Sequence, residues 1–185
     1  LLYDRYGHGG SEPLTGPRTP DFLRFEAVKA LPDVLAACHV GRPLLFGHSD
    51  GGTIALLHAA AAVTPPVAVV TEAAHVFAEP VTRAALTALR MRWAEDADFR
   101  RRLARHHGEG TDAMVRGFLD IWLSTAMANW RMTDRLSAIH CPVLAIQGED
   151  DEHASRSQPV THGPPGPHHA RAPERPAGNP RPQPA

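Results

Sequence analysis

Four short runs, residues 1–4, 43–46, 67–71 and 143–147, are apolar on both alternating faces, the pattern of strands buried inside a parallel sheet. Between the first two, Phe22, Phe25, Val28, Leu31, Leu35 and Cys38 recur at helical spacing behind Thr19-Pro20-Asp21. This predicts a helix over 21–39, with Pro32 placed to kink it. A second helix is expected to open at Gly51 or Gly52 and run through Ala62, favoured by the alanines at 59–62 and ended by Pro65-Pro66. From Ala73 to about Leu136 the periodicity is helical throughout, carried by Leu86, Leu89, Trp93, Phe99, Leu103, Met114, Phe118, Ile121 and Trp122. Within it Glu95, Asp96 and Asp98 lead Arg100, Arg101, Arg102 and Arg105 along one helix that stops at His107-Gly108, the polarity a helix dipole favours. The arginines read as a solvated face. Strands alternating with helices predict an α/β domain over 1–155, a mostly parallel sheet flanked by helices, with residues of about 73–136 inserted as a helical cap.

Composition changes abruptly after Ser155. Residues 156–185 hold half of the chain's 18 prolines and no Leu, Ile, Met, Phe, Tyr or Trp, so they have too little apolar area to offset ordering entropy and are expected to form a disordered low-complexity tail. The preceding 155 residues carry the core. Across the chain, 19 basic and 20 acidic side chains leave a formal charge of −1, which provides no field for gathering nucleic acid or anionic lipid. The most apolar stretch, 44–63, is broken by Gly47-His48-Ser49-Asp50-Gly51-Gly52, so no uninterrupted membrane span is expected. Cys38 and Cys141 lie far apart and outside any metal-binding spacing, which favours reduced thiols, a cytoplasmic location and no bound metal. The chain begins at Leu1 rather than Met, which reads as a cut N-terminus.

Gly47-His48-Ser49-Asp50-Gly51 is G-x-S-x-G, directly behind the apolar run 43–46 and opening the second predicted helix. Strand, sharp turn and helix in that order form a nucleophile elbow. Small neighbours let the strained serine backbone pass, its hydroxyl stands clear of the sheet, and the Asp50 backbone N–H is available to an oxyanion. The plainer alternative is a glycine-rich turn in which Ser49 caps the helix.

With this motif in place the chain resembles the α/β-hydrolase fold superfamily, over residues 1 to about 152. Tyr3-Asp4-Arg5-Tyr6-Gly7-His8-Gly9-Gly10-Ser11 is similar to the strand and loop preceding the elbow there, and Pro142 to Asp151 is similar to the later strand whose G-x-x-D turn carries the catalytic acid. The stretch from Ala74 to Trp130 is similar to the helical cap of a bacterial subgroup of small-molecule hydrolases. The resemblance implies Ser49 as nucleophile and Asp151 as the acid that orients a histidine. Glu72, which also ends a strand on the side where parallel sheets place their sites, is a weaker alternative acid, and Asp150 is expected to face solvent or support the turn. The resemblance also implies chain order Ser, acid, His. His153, His162, His168 and His169 follow Asp151, but no apolar strand positions them; His169 is the weak candidate base. The change in composition is what departure from the ancestral reading frame after Glu152 would produce. A second oxyanion donor, in this superfamily, comes from a loop ahead of residue 1.

His48 reads as a support of the turn or a pocket wall and His75 as a residue lining the site, while His8 belongs to the loop after Asp4. Trp93, Phe118, Trp122 and Trp130 are candidates for an apolar pocket or, as aromatics at helical spacing, for core. The resemblance therefore implies a serine hydrolase of small carboxylic esters or related carbonyl substrates, acting without metal or organic cofactor through an acyl-enzyme. Activity is expected to be impaired for want of the histidine and one oxyanion loop. The same scaffold supports cofactor-free haloperoxidase and C–C bond hydrolase chemistry. A rival from another class is a non-catalytic hydrolase-like remnant or binding protein. The expected partner is a small molecule, with neither nucleic acid nor membrane, and the oligomeric state is left open.

Overall fold

The structure, a computed structural model, describes residues 1–160. Three strands, β1 (Leu44–His48), β2 (Ala68–Glu72) and β3 (Val143–Ile146), form a parallel sheet in that order. Their register aligns His48 with Glu72 and Glu72 with Ile146, so all three strands end in one row. Parallel strands need long crossovers. The first is α3 (Asp50–Ala61), and the second is a long insertion containing α4 (Pro80–Glu95), α5 (Ala97–His107), α6 (Thr111–Leu123) and a 3₁₀ turn over Thr133–Ala138.

Residues 1–4 differ from expectation: they lie in no strand, and Leu1 and Leu2 are exposed. Alternating apolarity selects a side-chain pattern, but a strand also needs a ladder partner beside it. Among the described residues, the edge of β1 away from β2 has none. Leu44 and Phe46 stay exposed there, and with Leu1, Leu2 and Tyr3 they line a groove of 470 Å³ along that edge.

The first helical region is divided into α1 (Phe22–Phe25), a π turn (Glu26–Ala30) and α2 (Leu31–Ala37). Pro32 falls in the first turn of α2, where a missing N–H is cheap, and the wider π turn takes up the ring where it would meet the carbonyl of Val28. The acid-then-base helix is α5. Its N-terminus is capped by Asp96, whose Oδ1 accepts from the Phe99 amide at 2.7 Å, and it stops at Gly108 with φ 53°.

Helix α3 is buried on nearly every side because it lies between two apolar clusters. Ile54 joins Leu23, Ala27, Leu86, Leu119 and Trp122 on one side, while Leu56 joins Val69, Val76, Met132 and Leu136 on the other. This double packing holds the N-terminal end of α3 against the C-terminal ends of the strands. Packed chain continues beyond the compositional break at Ser155 into α7 (Ser157–Val160), where Gln158 is fully buried. Its side chain accepts from the Val76 amide at 2.8 Å and donates to the Phe77 carbonyl at 3.0 Å. The rest of the expected tail, with His162, His168 and His169, lies outside the described residues. Among the described residues no helix is long and apolar enough to cross a membrane.

Candidate active site

Ser49 occupies the junction of β1 and α3 with φ 52° and ψ −123°, a backbone region that side-chain-bearing residues rarely adopt. Its amide donates to the Glu72 carbonyl at 2.9 Å, while its own carbonyl accepts from the amides of Gly52 at 2.9 Å and Thr53 at 3.1 Å. One residue thus ends a sheet ladder and begins a helix. Gly47 makes this possible, since a Cβ there would sit 2.2 Å from the Gly51 carbonyl oxygen. The second tight position is Gly52, not the motif glycine Gly51: a Cβ at 52 would sit 2.7 Å from the Ala74 Cβ, whereas one at 51 meets nothing within 4 Å. The Ser49 side chain does not cap α3, and among the described residues its hydroxyl has no hydrogen-bond partner.

Asp50, next in the chain, turns its side chain into the protein and is buried. Its Oδ1 accepts from Trp122 Nε1 at 3.1 Å, and its Oδ2 lies 3.6 Å from the Arg5 guanidinium. Burial pushes the carboxyl pKa up, opposed foremost by Arg5. His75 is buried beside it, its ring 5.6 Å from that of Trp122. The His75 Nε2 lies 3.2 Å from the His153 carbonyl, so Nε2 carries the proton, and Nδ1 is buried without a partner. Thr53 ties this loop to the elbow: its hydroxyl donates to the His75 carbonyl at 2.6 Å and accepts from the His75 amide at 3.2 Å.

Asp151 follows β3 and leaves the same end of the sheet as Ser49, with β2 between them. Its carboxylate accepts from Gln147 Nε2 at 2.7 Å and from the His153 amide at 2.8 Å, and His153 Nδ1 is 4.0 Å away. Asp150 is exposed. Hydrogen bonds thus link the elbow to the His75 loop through Thr53, and that loop to the segment after Asp151 through the His153 carbonyl. His48 is instead exposed and lines the groove on the open edge of β1, and Glu72 meets the site through its carbonyl while its side chain is exposed. Trp122 is buried against Phe22 and Trp130, with ring centroids 6.4 Å and 5.6 Å apart, so its ring is part of the core. Trp93 packs on Phe99, their rings 6.3 Å apart.

Three contributors were not singled out from sequence. Gln147 lies four residues before Asp151, within the turn, and that spacing was the available signal. Arg5 and Thr53 had none, because their partners are distant in sequence.

The model of the alpha/beta hydrolase family matches residues 1–179. The chain belongs to that family. Among solved structures, this hydrolase-family chain is similar to NosK from Streptomyces actuosus, at 20% identity and a TM-score of 0.64, over 90% of this chain and 71% of that one. It is also similar to a hydrolase from Pseudomonas aeruginosa PA01, at 18% identity and a TM-score of 0.61, over 91% and 69% of the two chains. A third likeness is the enol-lactonase from Burkholderia xenovorans LB400, at 19% identity and a TM-score of 0.57, over 90% and 69%. At such identities the likeness is one of fold. No curated protein sequence matches the chain.

Proposed function

We propose that this family member is a serine hydrolase of small carboxylic esters or related carbonyl compounds, with Ser49 as nucleophile and Asp151 as the acid. The observation that carries this is the Ser49 backbone, held at φ 52° between a parallel strand and a buried helix, with no hydrogen bond to its hydroxyl among the described residues. A serine serving only the fold would relax that strain by capping α3. In the reaction Ser49 Oγ attacks the carbonyl carbon as its proton passes to a base, and the new oxyanion accepts from the Asp50 N–H, one of the first-turn amides a helix leaves unpaired. Collapse expels the alcohol and leaves an acyl-serine, which water cleaves. Cys38 and Cys141 are free thiols, in keeping with a cytoplasmic setting.

The base is the weakest part of the constellation. Among the described histidines, His153 comes nearest the acid, and none hydrogen-bonds to Ser49 Oγ. Slow turnover is therefore part of the proposal, since loss of a base costs on the order of 10⁶ in rate. The same observation favours the second reading, a hydrolase-like protein that binds without turning over. Incubation with a fluorophosphonate and a short p-nitrophenyl ester separates them: Ser49 modification with ester release supports the hydrolase, and a folded chain showing neither supports the binder.

A further inference from the structure

Asp50, the residue after Ser49, is buried, and it is held from two directions by elements remote in sequence. The Arg5 guanidinium comes from the loop ahead of α1, and the Trp122 indole comes from the last turn of α6, in the helical insertion. Trp122 is itself fixed at the backbone by Arg83 of α4. That guanidinium donates to the carbonyls of Trp122 at 3.4 Å, Leu123 at 2.9 Å and Ser124 at 3.2 Å, gathering the carbonyls that the end of α6 leaves free.

From these contacts we infer that Trp122, clamped by Arg83, is a positioning residue for the elbow: its indole N–H fixes the Asp50 carboxylate, and through it the Asp50 amide beside Ser49. A carboxylate withdrawn from water is tolerated only where its partners stay in place, so the helical insertion and the oxyanion donor keep one geometry together. Packing alone does not account for this. Phe22, His75 and Trp130 contact the ring, whereas the bond to Oδ1 uses the indole N–H, the one polar atom of the side chain and one that packing does not require. The role of the positioned amide rests on the hydrolase reading; the mechanical coupling does not.

Hydrogen exchange on the full chain tests the coupling. In Trp122→Phe the amides of residues 47–53 exchange about 10-fold faster or more, as expected for loss of a hydrogen bond to a buried charge, while the β2–β3 ladder keeps its protection. Arg83→Gln, which leaves the core untouched, gives the same local change and stands in if Trp122→Phe does not fold. Unchanged protection at 47–53 in both variants, or a uniform loss across all segments, overturns the inference. Where wild-type Ser49 reacts with a fluorophosphonate, its labelling in Trp122→Phe slows about 10-fold. A wild type that never labels, but whose Trp122→Phe variant exchanges faster at the elbow, sinks the hydrolase reading and leaves the coupling standing.

Discussion

The amide of Ser49 donates to the carbonyl of Glu72 at 2.9 Å, one step beyond the last paired residues of β1 and β2. The turn is thereby pinned to the sheet at the point where the chain reverses into α3, and the cost of its strained φ is borne by that bond and by the packing of α3 on both sides.

Close packing at this turn sets a glycine series. Gly47→Ala places a methyl against backbone that has nowhere to move and is expected to destabilise by about 2–3 kcal/mol, with Gly52→Ala similar. Gly51→Ala meets open space in the first turn of α3 and should be neutral or stabilise by up to about 1 kcal/mol. Urea denaturation of the three variants checks the order.

The segment after Asp151 is clamped to the loop after β2 by Gln158, fully buried against Val76 and Phe77. Gln158→Ala leaves the Val76 amide unsatisfied and is expected to cost about 1–3 kcal/mol. A thermal melt showing no change would mean that the docking of Gln158 contributes nothing to the fold.

His8 gives a pH dependence with a definite sign. Burial, with Arg5 next, pushes its pKa from 6.5 down to about 4. The folded state thus resists the proton that the unfolded chain accepts, so the stability contribution is complete above pH 6.5 and is lost as pH falls through about 4. Asp50 and Glu26, both raised chiefly by burial, act with the opposite sign, so the informative quantity is a difference. The urea midpoint of wild type should drop more steeply from pH 7 to pH 4.5 than that of His8→Gln.

Asp151 accepts from Gln147 and from the His153 amide, which fixes its carboxylate whether or not a substrate is present. Asp151→Ala is expected to slow modification of Ser49 by at least about 10-fold while leaving the far-ultraviolet circular dichroism intact. Equal rates would remove Asp151 from the chemistry and return Glu72 to consideration.

Local pattern made much of this legible. The apolar runs at 43–46, 67–71 and 143–147 became β1, β2 and β3, and G-x-S-x-G between a strand and a helix marked the strained turn, because each signal is written in a few consecutive residues. What depended on distant partners was not legible. Residues 1–4 carry a strand's pattern without a strand's neighbour, and the outward look of the sequence Ser49-Asp50 gave no sign that Asp50 is buried under Trp122, 72 positions away. Gln158 sits in a segment whose composition argues for disorder, yet one polar side chain matched to backbone groups of the Val76 loop is enough to dock it.

The most direct measurement is mass mapping of the full chain after exposure to a fluorophosphonate, beside Ser49→Ala. The account predicts one adduct, on the peptide containing Ser49, and none in the variant. A folded wild type left unmodified at Ser49, or an adduct that survives in Ser49→Ala, would contradict it.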